Sequence, residues 1–292
     1  MASLWTLGGL SLPELLRRTA RASWQDEVFG QGGRMAFYHF LAIFPSLILF
    51  FAIAAHIPHL VHSLMNAFQD LGRQVLPDRV SQLFQQRMSQ FGTRPGSGLP
   101  LLSIGLAALW AAHNGTWAMI YGLNKAYEVE EKRSWREMTV TNIALTLFLS
   151  ISAFLTLFLI FCGAWLQSRF LGGTSTLRTL EWLVLIVVLS VSFAVLYRFA
   201  PNLPEHAWRW STPGALCALI LWIGATLCAR LYFDHVSTYA RTYGPLDGVV
   251  MLLLWLYITN GAILIGGEMN SEIEKNISHH RNAHPPHAHP AS

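Results

Sequence analysis

The sequence predicts an all-α, polytopic membrane protein with six transmembrane helices and additional interfacial amphipathic helices. The first observation is composition: 53% of the 292 residues are hydrophobic and only 12% are charged, whereas a soluble domain carries about twice that charged share. The second is the recurrence of long apolar runs, because about 20 residues at 1.5 Å rise cross a hydrocarbon core of about 30 Å. Segments between these runs hold most of the Lys and Arg residues.

The chain divides into three predicted parts. An amphipathic, cytoplasmic N-terminal segment covers 1–33, and a six-helix transmembrane domain covers 34–275. The last part, 276–292, is rich in His and Pro and is expected to be a disordered cytoplasmic tail, because it has too few apolar residues to bury.

The N-terminal segment carries apolar residues at near-helical spacing over 12–29, opposite three arginines. The apolar positions are Leu12, Leu15, Leu16, Ala20, Trp24 and Val28, and the arginines are Arg17, Arg18 and Arg21. This pattern fits two structures: a helix lying in the membrane interface, or a surface helix packed on the protein itself. Gly30 and Gly33 are expected to break this helix before the first span.

The six predicted spans cover 35–56, 99–121, 140–166, 181–199, 212–233 and 246–267. The second span holds small residues at four-residue spacing, Ala107, Ala111 and Gly115, which let helix backbones approach closely. The fifth is expected to begin at Pro213, since proline suits the first turn of a helix. The connection 57–97 is expected to form two short amphipathic helices.

The distribution of Lys and Arg favours a topology with both termini in the cytoplasm. In this orientation the cytoplasmic segments carry twelve Lys and Arg residues and the outer segments carry eight. No cleavable signal peptide is visible, so the first span is expected to act as an uncleaved anchor. The net charge of +4 and the pI near 9.1 follow from the same segments, and no nucleic-acid partner is predicted.

No catalytic site, cofactor site or metal centre is predicted from sequence motifs. The chain contains no Walker loop and no GxGxxG, HExxH, GxSxG or HxHxDH pattern. The spacing of His56, His59 and His62 fits either a metal site or an interfacial cluster at a helix end. The histidines of the tail fit either adventitious metal binding or a solvated tail.

Polar side chains in or beside the apolar spans form the predicted substrate path, because polar groups in hydrocarbon are costly unless they are paired or face a cavity. The candidates are His39, His113, Asn114, Asn260, Arg230, Asp234 and Glu268. Structural alternatives exist for most of them. The asparagines can hydrogen-bond between helices, and Arg230 can pair with Asp234 at i, i+4. Glu268 can be a solvated helix end, or it can pair with Arg133 to close an inner gate.

Five runs of the chain form an ordered pattern: FYHFLAIFP at 37–45, YRFAPN at 197–202, PGA at 213–215, LLLWLY at 252–257 and GGEMN at 266–270. The region of the second span adds Trp110, Gly115, Leu123, Asn124, Ala126, Tyr127 and Arg133. Together these residues resemble the YihY/BrkB family of bacterial inner-membrane proteins, over residues 30–275. The chain departs from the family pattern at His113 and Asn114, where a Ser-Arg-like pair is common, and at Asp247, where a small residue is usual.

The resemblance implies six spans and a location in the bacterial inner membrane. It implies no secure reaction: members carried the label ribonuclease BN, which is regarded as mistaken, and transport of lipids or envelope components has been suggested. The predicted function is a transporter or translocase of a lipid or another envelope component, without its own ATP site. The alternative is a non-transporting membrane scaffold, and a membrane-bound ribonuclease is the least favoured. Predicted partners are membrane lipids, and another copy of the chain or a protein at the cytoplasmic face.

Overall fold

The computed structural model describes residues 4–54, 98–170, 175–203, 213–235 and 247–283. Within these ranges the chain is helical and contains no strand, which confirms the all-α class. A 3₁₀ helix over Leu4–Gly9 precedes seven α-helices: α1 (Leu12–Gln25), α2 (Val28–Ala54), α3 (Gly98–Ala126), α4 (Trp135–Phe170), α5 (Ser175–Phe199), α6 (Pro213–His235) and α7 (Asp247–Ala283).

Helices α2 to α7 each contain most of one predicted span. By length and hydropathy, three stretches of the described chain are suited to cross a membrane: Val28–Leu49, Trp135–Thr156 and Val249–His279. Leu183–Phe199 and Pro213–Cys228 are shorter apolar helices. The chain is a helical membrane protein, and the count of six crossings stays a prediction.

The turn between α1 and α2 lies at Asp26 and Glu27, so the predicted break at the glycines of 30–33 is wrong. Glu27 has a φ of 54°, a left-handed conformation that ends a helix. The glycines lie inside α2, where they allow close contact with α7. A Cβ added to Gly32 would lie only 3.3 Å from the backbone nitrogen of Gly261, so a side chain there would push the two helices apart.

Helix α1 packs on α7 with one face and leaves an apolar face uncovered by the described residues. Leu15 is fully buried and contacts Met269 and Ile273 of α7. The outward face carries the exposed side chains of Leu12, Leu16 and Trp24. The packed face fits the surface-helix alternative, and the outward apolar face is of the kind that interfacial helices present.

Helix α7 continues to Ala283, so the predicted start of a disordered tail at residue 276 is wrong for 276–283. The extension is held by packing: Ile273 is fully buried, and Asn276 Nδ2 donates a hydrogen bond to Gly8 O at 2.9 Å. Burial against the 3₁₀ helix and α1 offsets the entropy cost of ordering these residues. The rest of the tail, 284–292, and the connection 57–97 lie outside the described residues.

Gly266 and Gly267 of α7 form the tightest helix contact of the described bundle. A Cβ added to Gly267 would lie 2.7 Å from Leu123 Cδ2 of α3. A Cβ added to Gly266 would collide with the Tyr197 hydroxyl of α5 and lie 2.5 Å from Gly214 O of α6. Three helices therefore meet α7 at a point where only glycine leaves enough room.

A hydrogen bond reinforces this contact at the start of α6. The backbone nitrogen of Gly214 donates to Asn270 Oδ1 on α7 at 2.8 Å. Backbone N–H groups in the first turn of a helix have no partner within the helix, so the asparagine satisfies one of them. Helix α6 begins at Pro213, as the sequence predicts.

Apolar side chains fill the interior around these contacts and cover the outside of the bundle. The core includes Met35, Ile120, Leu123, Leu196 and Leu264, each at most 1% exposed. On α4 the exposed apolar residues include Val140, Ile143, Leu147, Ile151 and Leu155. An outward apolar surface of this extent suits contact with lipid.

Candidate functional site

His39, Gly115 and Asn260 bring α2, α3 and α7 together within the predicted spans. Gly115 of α3 makes room for the imidazole, because an added Cβ would lie 2.7 Å from His39 Cδ2. Asn260 is 1% exposed, and its Nδ2 donates to Leu256 O on its own helix at 2.8 Å. Asn260 Oδ1 is buried without a hydrogen bond of good geometry, and the His39 side chain is its electrostatic neighbour. This polar point could exchange hydrogen bonds with a hydroxyl, amine or phosphate group.

His113 and Asn114 are adjacent to this point but make other contacts. Asn114 Nδ2 donates to Trp110 O at 2.8 Å, one turn back on α3. The His113 ring lies 6.2 Å from the Trp117 ring, centroid to centroid. The asparagine amide is therefore bound to its own helix, rather than to another helix as the packing alternative expected.

Glu268 is fully buried, and both of its carboxyl oxygens lack a hydrogen-bond partner among the described residues. The expectation of a solvated helix end is therefore wrong. The expected pairing with Arg133 is also wrong, because Arg133 Nη2 binds Glu131 Oε2 at 2.6 Å. Glu268 stays a candidate residue of the substrate path, in a buried position that the sequence did not predict.

Arg230 and Asp234 both lie in the backbone range of α6. Their side chains lie outside what the structure describes. Their pairing stays a prediction.

An ion-pair network that the sequence did not predict holds the ends of α3 and α5 together. Arg133 donates to two carbonyls at the end of α5, Phe199 O at 3.2 Å and Ala200 O at 2.9 Å, while it pairs with Glu131. A cation is favourable there because the carbonyl end of a helix carries partial negative charge. Asn124 completes the network by donating from Nδ2 to Glu131 Oε2 at 2.8 Å.

The charge of Glu131 is stabilised by this network. Burial by itself would raise the pKa of the carboxyl, but hydrogen bonds from Arg133 and Asn124 act in the opposite direction, and the net effect lowers the pKa. The amide oxygen of Asn124 takes part as well: Asn124 Oδ1 accepts a hydrogen bond from the backbone nitrogen of Asn202 at 2.8 Å. Asn124, Arg133 and Asn202 all belong to the residue pattern that resembles the YihY/BrkB family. That pattern was the signal by which the sequence could have indicated this network.

A cleft of about 470 Å³ opens at the same end of the bundle, beside the last turns of α7. Its apolar lining is Tyr127, Val129 and Leu203, and its polar lining is Ser271, Glu274, Lys275, Ser278 and His279. No sequence pattern indicated this cleft, because its lining comes from three distant parts of the chain. The cleft presents apolar and charged groups to one ligand.

Two lining groups of the cleft have defined charge states. Burial, and then the nearby charge of Glu274, raise the pKa of the Tyr127 phenol, so it stays neutral and can donate a hydrogen bond. Lys275 Nζ lies 2.9 Å from Glu128 Oε1 and 2.8 Å from Glu272 Oε1. The ammonium is thus fixed at the edge of the cleft by two carboxylates.

The described residues contain no candidate metal centre. No group of three or more His, Cys, Asp or Glu side chains in these ranges is arranged to hold a metal ion. His56, His59 and His62 lie outside the described residues, and so do the tail histidines from 284 onward.

Fold and site together define a helical membrane protein with glycine-mediated packing, few interior polar groups and a charged end. Comparison with known protein families shows to which family the chain belongs. The family described as Virulence factor BrkB matches residues 19–291. The chain belongs to the BrkB family, which confirms the resemblance found in the sequence.

Individual relatives share most of the chain. The ribonuclease-like protein YfkH of Bacillus subtilis (strain 168) is 31% identical over 253 residues, which cover 84% of this chain and 90% of that relative. A UPF0761 membrane protein of Psychromonas ingrahamii is 24% identical, with 87% of this chain and 86% of the relative covered. A UPF0761 membrane protein of Verminephrobacter eiseniae is 26% identical over 87% of this chain and 60% of its own length. No solved structure matches the chain.

Proposed function

We propose that this protein is a transporter or translocase of a lipid or another amphipathic envelope component, without an ATP site of its own. The observation that carries the proposal is the cleft beside α7. Tyr127, Val129 and Leu203 offer it an apolar wall, and Lys275 and a run of polar residues offer a charged one. A molecule with an apolar body and a polar head satisfies both walls, whereas a purely polar solute would leave the apolar one unused.

The interior polar groups support a path beyond the cleft. His39 and Asn260 lie side by side within the predicted spans, and the buried Asn260 Oδ1, whose described neighbour is the His39 imidazole, can accept a hydrogen bond from a head group. Polar groups at membrane depth are costly without partners, which makes them candidates for contact with a passing head group. His113, Asn114 and Glu268 are proposed at successive positions along the same path. Arg230 and Asp234 are proposed at its outer end.

The proposed location is the bacterial inner membrane, with both termini in the cytoplasm. The Lys and Arg distribution supports this orientation. It places the cleft and the Arg133 network on the cytoplasmic side. The proposed partners are membrane lipids, and a second copy of the chain or another protein at the cytoplasmic face.

The second candidate function is a non-transporting scaffold. The close contact at Gly266 and Gly267 favours it, because helices locked this tightly at one end resist the opening that transport needs. The rigid loop around Arg133 would then be the surface that recruits partners. We propose that the protein is not an enzyme. A ribonuclease is supported by the name of the YfkH relative. The sequence contains no HExxH, GxSxG or HxHxDH pattern that would supply a catalytic site.

Vesicles reconstituted with the full chain test the proposal. A fluorescent phospholipid is placed in both leaflets, and a membrane-impermeant reductant removes the signal of the outer leaflet. Transport predicts that the protected inner-leaflet signal also decays, faster than in vesicles without protein. Unchanged protection in vesicles that contain folded protein would favour the scaffold.

A further inference from the structure

Glu268 is an unusual acidic residue in this bundle because it is buried without any compensating bond. Its exposed fraction is 0%, and neither Oε1 nor Oε2 has a hydrogen-bond partner among the described residues. An ionised carboxylate in such a place loses its hydration and receives nothing in return. Ionisable groups in the interior of membrane proteins commonly mark ion or proton pathways.

The charged groups around Glu268 leave it without a counter-ion. Asp26 approaches from the turn between α1 and α2, and Glu128 from the segment after α3. On α7 itself the neighbours are Glu272 and Lys275. Lys275 is already bound to Glu128 and Glu272 at 2.9 and 2.8 Å. Asp26 therefore opposes a negative charge on Glu268, and the one basic neighbour among the described residues, Lys275, is shared with Glu128 and Glu272, so these three groups together add a further net negative charge.

The interface between α1 and α7 supplies further unused oxygen atoms. Thr19 Oγ1 and Ser23 Oγ are buried without hydrogen-bond partners among the described residues. They lie one and two turns after Leu15 on the same face of α1. Leu15 packs on Met269 and Ile273 of α7, one and five positions after Glu268. Two buried hydroxyls thus line the face of α1 that packs on α7, and Ser23 lies three positions before Asp26 in the turn that follows.

We propose that Glu268 is a proton-binding site, and that its proton exchanges with cytoplasmic water beside the turn between α1 and α2. In the closed arrangement the carboxyl carries the proton as an O–H group. When that O–H bond breaks, the proton passes to a water molecule as hydronium, and the carboxylate left behind requires hydration. Water then enters beside this turn, where the buried hydroxyl of Ser23 is available as a hydrogen-bond partner. Proton binding stands without the proposed transport, and only its coupling to transport rests on that function.

Carbodiimide labelling of the full chain in lipid nanodiscs tests the site directly. Dicyclohexylcarbodiimide is apolar and reacts with protonated carboxyl groups, and mass spectrometry locates the adduct. We expect an adduct on Glu268 that decreases from about pH 5 to about pH 9, a range that includes the pKa values of buried carboxyls. Glu272, which is bound to Lys275, and Glu14, which is bound to Arg18 at 2.8 Å, serve as internal controls without this labelling. The unaltered protein gives the readout, and E268Q only verifies the assignment.

Several outcomes would overturn the site. Absence of the adduct at acid pH, or an adduct independent of pH, would contradict a proton that exchanges with water. Protection by sodium chloride but not by choline chloride at constant pH would assign the carboxyl to sodium instead. Vesicle assays separate this result from the proposed function. Lipid movement without Glu268 labelling contradicts the proton site alone, and labelling without lipid movement contradicts transport alone.

Discussion

Tyr197 of α5 donates a hydrogen bond from its hydroxyl to the backbone carbonyl of Ile263 on α7, across 2.6 Å. The bond lies one turn before Gly266, which the same hydroxyl approaches closely. A buried phenol and Gly266 therefore fix the position of α5 against α7 at the predicted cytoplasmic end.

Removal of the Tyr197 hydroxyl should destabilise the bundle measurably. Tyr197→Phe keeps the ring and leaves a buried carbonyl with one partner fewer, and we expect a loss of about 1 kcal/mol. Thermal unfolding of the purified protein in detergent measures this. Tyr121→Phe is the matched control, because Tyr121 is 58% exposed. Equal melting temperatures for the two variants would show that the bond contributes nothing.

A side chain at Gly267 should be more costly. Gly267→Val places methyl groups where Leu123 Cδ2 already lies, and overpacking of this kind costs about 1–3 kcal/mol. The measurement is again the melting temperature, with the yield of folded protein. Gly224→Val is the control, since a Cβ added at Gly224 meets nothing within 4 Å. If both substitutions have the same effect, the three-helix contact is not tight in the native protein.

The ion pair between Glu131 and Arg133 should make stability depend on pH. Because the folded state lowers the pKa of Glu131, the pair stabilises fully above the unfolded-state pKa of about 4.3 and is lost as pH falls through the folded-state value. Glu131→Gln should therefore destabilise at neutral pH and have little effect at about pH 3.

Melting temperatures of the wild type and Glu131→Gln over that pH range provide the check. The difference between the two proteins isolates this carboxyl from the others that titrate in acid. Glu137→Gln is a useful comparison, because Glu137 bonds within its own segment, to Ser134 N at 2.8 Å. A difference for Glu131→Gln that is constant with pH would contradict the role of its charge.

Local sequence signals predicted the positions of the helices well, but they did not predict which helices contact one another. Pro213 is the first described residue of α6, as expected because proline suits the first turn of a helix. The turn at Glu27 has no comparable signature, since a glutamate with positive φ is held by its surroundings. The α7 glycines suggested close contact without indicating which helices they meet.

The site was harder to predict, because its residues obtain their roles from distant partners. Pairing of Arg133 with Glu268 was one of two alternatives, but the carbonyl partners of Arg133 are 66 and 67 positions away and are brought to it only where α5 ends. Glu268 looked like a helix end because a charge interrupts an apolar run. Packing of the bundle around α7 buries it instead, and hydropathy along one helix does not report contact with another.

Asn260 allows the proposed path to be separated from stability. Asn260→Ala removes an amide whose Nδ2 bonds within α7 and whose Oδ1 has the His39 imidazole as its neighbour, so we expect a loss of stability of no more than about 1 kcal/mol. Asn142→Ala is the control: Asn142 is also fully buried, but on α4, where its Oδ1 accepts from Thr146 at 3.0 Å. Transport should slow about tenfold in Asn260→Ala alone, equivalent to about 1.4 kcal/mol in the barrier.

The most direct test of the account is the rate at which labelled phospholipid moves between leaflets of vesicles that contain this protein. The account predicts movement well above that of protein-free vesicles, slowed by Asn260→Ala and preserved by Asn142→Ala. Movement in the wild-type vesicles no faster than in protein-free ones, with the protein verified as folded, would contradict the central claim that the bundle carries an amphipathic substrate.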